Sequence, residues 1–67
     1  MGAGDKAVVA TVVGSVESES GNRYEVRWDQ MTREVYVFRE RLVFVGMAVS
    51  VGEAVGKVRA WVRERGK

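Results

Sequence analysis

The sequence predicts an α+β domain: an antiparallel three- to four-stranded meander sheet with one C-terminal α-helix packed on one face. Three features of the chain predict it. Over residues 7–38, valines and aromatic residues alternate with polar ones at period two, the mark of half-buried strands. Ser20, Gly21 and Asn22, and then residues 29–32, interrupt that run with turn-forming side chains. From Val51 onward the apolar spacing changes to that of a helix.

Residues 1–6 have little to pack and are expected to form a flexible N-terminus, with 7–67 as a single domain. Residues 7–18 are rich in β-branched side chains and read as the first strand. A three-residue turn at Ser20, Gly21 and Asn22, with Gly21 or Asn22 at positive φ, pairs Val16 with Val26 and Gly14 with Trp28. Gly14 then leaves room for the indole. In the second hairpin a four-residue loop over 29–32 sets Trp28 against Arg33, Val26 against Val35 and Tyr24 against Val37. Slipping that register by one residue would bury Glu34.

One face is thus expected to carry Val8, Ala10, Val12, Gly14, Val16, Tyr24, Val26, Trp28, Val35 and Val37. The other carries Val9, Thr11, Val13, Ser15, Glu17, Glu19, Arg23, Glu25, Arg27, Glu34, Tyr36 and Phe38. Arg39, Glu40 and Arg41 break the alternation and mark a bend or bulge. Leu42, Val43, Phe44 and Val45 form either a fourth strand or the continuation of the third.

Ser50 followed three residues on by Glu53 is a capping box, and Val51, Ala54, Val55, Val58, Trp61 and Val62 define the buried stripe of a helix from about Val51 to Arg65, ending at Gly66. The bulky core is expected to be Val12, Val16, Tyr24, Val26, Trp28, Val35, Val37, Val55, Val58, Trp61 and Val62. Gly52, Gly56 and Ala60 make a small-residue strip beside the stripe. It serves either a close seat on the chain's own sheet or the approach of a second subunit.

The 67 residues contain no cysteine and no histidine, so disulfides and the usual zinc sites are excluded. A chain this short buries only roughly 60% of its unfolded surface, which makes oligomerisation the remaining means of support. No apolar run approaches the roughly 20 residues of a bilayer span. The N-terminus lacks the apolar segment of a signal peptide, so a cytoplasmic location is expected. Residues 1–38 hold six acids against four cations, and residues 39–67 seven cations against three acids, so the basic character is C-terminal.

No catalytic constellation is visible: Asp29 reads as a turn residue, Glu53 as a cap and Glu34 as a partner for Arg27, so the chain is expected not to be an enzyme. Gly52, Gly56 and Lys57 fall one residue short of a phosphate-loop spacing and lie inside the helix. No cofactor, metal or membrane partner is expected. The leading expectation is a small oligomeric binding module for nucleic acid. Its contacts would be Arg23, Arg27, Tyr36 and Phe38 on the strand face, or Arg59 and Arg63 on the helix, giving cations for phosphate and rings for bases. Glu17, Glu19, Glu25 and Glu34 on the same face oppose phosphate. The alternative is a homo-oligomeric assembly module, most simply a dimer, joined through Val9, Val13, Tyr36 and Phe38 or through Gly52 and Gly56.

The meander followed by a helix opening Ser50, Val51, Gly52, Glu53, Ala54 resembles the arm-binding domains of phage integrases and the HicB-type antitoxins over roughly Tyr24 to Val62. The first resemblance implies contact with DNA through the sheet. The stretch Tyr24, Glu25, Val26, Arg27, Trp28, Asp29 is also similar to part of an SH3-like or Tudor-like barrel, which implies closure of the short strands. These likenesses rest on alternation and a generic helix start, and they assign no family.

Overall fold

The computed structural model describes residues 10–65. Expectations placed on residues 1–9, Val8 and Val9 among them, and on Gly66 and Lys67 lie outside the described residues. Four antiparallel strands, β1 (Thr11–Glu17), β2 (Arg23–Trp28), β3 (Glu34–Phe38) and β4 (Leu42–Met47), follow one another across a single open sheet. Among the described residues one helix, α1 (Val51–Arg65), packs on one face. The Leu42 run is therefore a separate strand, and Arg39, Glu40 and Arg41 are the hairpin connection before it. Among the described residues β1 and β4 are each paired on one side only, so these four strands do not close into a barrel.

Both N-terminal hairpins keep the expected loop lengths and move by one residue. The first turn is Glu19, Ser20 and Gly21, closed by the Ser18 amide donating to the Asn22 carbonyl at 2.8 Å, with Gly21 at φ +91°. It pairs Gly14 with Val26 and Val16 with Tyr24. In the second, Asp29 belongs to the ladder: its amide donates to the Glu34 carbonyl at 2.9 Å, and its buried carboxylate accepts from the amides of Met31 and Thr32. The four loop residues are therefore 30–33, with Arg33 in the left-handed region at φ +72°. Trp28 faces Val35 and Val26 faces Val37, instead of Arg33 and Val35. Each correction moves the pairing by two positions in total, so the same side chains still point the same way.

A bulge at Val13 does change direction. Thr11 faces Trp28 and Val12 faces Arg27, so beyond the bulge Val12 turns to the side away from the helix, where it is 49% exposed rather than buried. Val13 packs against the core instead. A second bulge, between Val35 and Tyr36 on the β3–β4 ladder, leaves Val45 as the extra residue and sends Met47 to the outer side opposite Glu34.

The core consists of Val16, Val26, Trp28, Val35, Val37, Ala48, Ala54, Val58 and Val62, flanked by half-buried Val13, Tyr24, Val43, Val45, Val55 and Trp61. Apart from Val12, the expected bulky core is present. Val51, expected in the helix's buried stripe, is exposed in its first turn. Gly14 does supply a close approach, but to α1: a Cβ there would meet Val55 at 3.4 Å. At the helix start the Ser50 hydroxyl accepts from the Glu53 amide at 3.2 Å. The Glu53 carboxylate accepts from the Val49 amide at 2.8 Å, one residue before the usual target.

The indole of Trp28 donates to the Ala48 carbonyl at 3.0 Å in a buried setting. A Trp28→Phe variant keeps a ring but orphans that carbonyl, and should lose about 2–4 kcal/mol, or roughly 10–20 °C in Tm. A thermal midpoint equal to that of the parent would show the bond to be without weight. Arg33→Gly relieves a left-handed residue and should add about 0.5–1 kcal/mol in urea unfolding; a loss of stability there would contradict the loop geometry.

Candidate functional site

The face of the sheet away from α1 is built by register alone. Val12, Arg27, Tyr36 and Phe44 form one row across all four strands, and Ser15, Glu25, Phe38 and Leu42 form the next. Phe44 is 54% exposed, Met47 51% and Val12 49%, while Tyr36, Phe38 and Leu42 are half-buried by one another. The rings of Tyr36 and Phe44 meet edge to face at 5.6 Å. The Arg27 guanidinium lies 4.8 Å above the Phe38 ring, held by two donations to one oxygen of Glu25, the shorter 2.9 Å. Arg23 and Glu17 form the pair at the end of the β1–β2 ladder.

The Tyr36 hydroxyl donates to Glu34 Oε1 at 2.9 Å. Partial burial, with the Glu34 carboxylate as both acceptor and neighbouring charge, raises its pKa above 10.0.

The expected contact residues separate into distinct places. Arg27, Tyr36 and Phe38 come together on this face, with Arg23 at its margin. Arg59 and Arg63 lie on α1, across a groove of about 550 Å³ from Glu17 and Glu19 at the β1 edge. Of the expected assembly residues, Val13 is corrected: the bulge turns it to the core, and Val12 stands on the outer face instead. Gly52 and Gly56 are exposed, with no atom within 4 Å of a built Cβ among the described residues. They therefore do not seat the helix on its own sheet.

Two groupings were not expected. Leu42, Phe44 and Met47 extend the apolar face; with Arg39, Glu40 and Arg41 read as a three-residue hairpin loop, the alternation of Leu42 and Phe44 would have placed them there. The second lies on the helix side, at the β3–β4 hairpin. Tyr24 and Trp61 meet edge to face at 6.1 Å, Arg39 stands 5.6 Å from the Tyr24 ring centre, and Arg65 5.6 Å from that of Trp61. A recess of about 220 Å³ opens between Tyr24, Trp61, Arg39, Glu40 and Arg41, floored by Val37 and Val43.

Among the described residues, no group of three or more acids is placed to hold a metal ion, and no helix is long and apolar enough to cross a membrane. No protein-family model matches the chain, and no curated protein or solved structure shows significant similarity to it.

Ionising Tyr36 would break its donation to Glu34 and set two anions side by side. Its contribution to stability is thus complete below the unfolded-state value near pH 10 and is lost as pH rises through the higher folded-state value. In a Tyr24→Phe background, ultraviolet titration should show the remaining phenol ionising above the ordinary tyrosine value, and Glu34→Gln should bring it down. A midpoint at the ordinary value would argue against the contact.

Proposed function

We propose that the protein is a small non-catalytic binding module that self-associates into a homodimer through the open face of its sheet. The observation that carries this reading is the apolar patch of Val12, Tyr36, Phe38, Leu42, Phe44 and Met47. Phe44, Met47 and Val12 are each about half exposed within it, and contiguous apolar surface of this kind is often functional.

The charges around the patch favour a second copy over a polyanion. Among the described residues, Glu17, Glu25 and Glu34 stand there with Arg23 and Arg27, and Arg27 is already bound to Glu25. Phosphates would meet the Glu17 and Glu25 carboxylates beside these arginines. A symmetry mate brings the same mixture of charges around the patch and lets the rings bury against one another centrally. Association also supplies what a core of valines and alanines in so short a chain lacks.

Sedimentation equilibrium tests the reading. The wild-type protein should sediment as a dimer at micromolar concentration. Phe44→Glu, which changes an exposed side chain, should sediment as a monomer with an unaltered circular dichroism spectrum. A wild-type monomer at high micromolar concentration would remove the proposal.

A further inference from the structure

The second aromatic grouping has a different chemistry from the open face. Tyr24 and Trp61 are half-buried and present partly open rings at the rim of the helix layer. Among the described residues, Arg39 and Arg41 line the recess and Arg65 stands against the Trp61 ring, with one lining carboxylate, Glu40, which is paired with Arg39 at 3.3 Å and is 85% exposed. Arg39 is also fixed from below, donating to the Asn22 side chain at 2.8 Å.

A structural role alone would account for Arg65, since cations near a helix C-terminus offset its dipole. It does not account for Arg41, which lines the recess with no side-chain partner among the described residues. Nor does it account for a recess of about 220 Å³ left open beside two rings. Arg59 and Arg63, the other helix arginines, line a separate groove with Glu17 and Glu19.

We infer that this recess binds single-stranded nucleic acid, one base lying against the Tyr24 and Trp61 rings and the adjoining phosphates resting on Arg39, Arg41 and Arg65. The space suits a single planar base. Duplex bases, stacked inside a helix, cannot enter it, whereas the bases of a single strand are free to stack on protein rings. Because the guanidiniums now stand over the ring faces, a stacked base would displace them toward its own flanking phosphates. The site lies on the helix side of the sheet and does not depend on whether the open face is paired.

Fluorescence anisotropy with end-labelled pyrimidine oligonucleotides, DNA and RNA in separate arms, tests the inference at about 50 mM salt and upward. Binding should weaken with salt with a log–log slope of about 2, as expected for three phosphates on a single strand, and fall about tenfold in the double variant Arg39→Ala, Arg41→Ala. Arg59→Ala, Arg63→Ala should bind as the parent does, and tryptophan emission should be quenched on binding by the parent but not by Trp61→Phe. All four arginines are exposed, so these variants test the surface without opening the core. Absence of binding in both arms, equal affinity for the duplex or for inorganic polyphosphate, or a loss that follows Arg59 and Arg63 would each overturn the inference.

Discussion

The hydrogen bond from the Trp28 indole to the Ala48 carbonyl joins the end of β2 to the point where the chain leaves β4 for the helix. Between them runs β3, so one side chain reaches beneath its neighbour to hold the exit of the sheet. The Ala48 amide meanwhile donates to the Arg33 carbonyl at 2.8 Å and extends the β3–β4 ladder by one bond. With both polar groups of Ala48 occupied, the path into α1 is specified, and the capping contacts of Ser50 and Glu53 begin the helix on that path. Val26, Val35, Val37 and Val58 then close over one another almost without exposure. Their branched side chains are short and stiff, so the helix sits close to the sheet, closest where Gly14 admits Val55.

The edge strands do something further. Each carries an extra residue relative to its inner neighbour, and each extra residue adds an apolar side chain to the outer face: Val12 on β1 and Met47 on β4. Bulges at sheet edges twist and interrupt the free ladder, which discourages uncontrolled strand pairing. Here they also enlarge an apolar surface around Tyr36 and Phe44.

The basic C-terminal half of the chain resolves, in three dimensions, into two places of unlike character. Arg59 and Arg63 share a groove with Glu17 of β1 and Glu19 of the turn that follows it. Arg39 and Arg41, twenty residues earlier in the chain, join Arg65 beside Tyr24 and Trp61 because the β3–β4 hairpin turns toward the last helical turns. Net charge along a sequence carries no information about which of these cations are neutralised by their neighbours.

The alternation of Tyr24, Val26, Trp28, Val35 and Val37, the break at Arg39 to Arg41 and the Ser50, Glu53 pair were enough to determine the α+β class, the inner face of the central hairpin and the helix limits. Each is a local consequence of backbone period or of an unsatisfied helix end. Register was legible only modulo two, because a hairpin whose loop moves by one residue keeps every side chain on its own face. Asp29 as ladder residue and Arg33 in the left-handed region therefore left no trace in the pattern. The bulges, the exposure of Val12, the burial of Val13 and the meeting of Arg39 with Tyr24 and Trp61 were decided by the tertiary structure. All of them depend on how the sheet twists to receive the helix, and no window of the chain contains both partners of that contact.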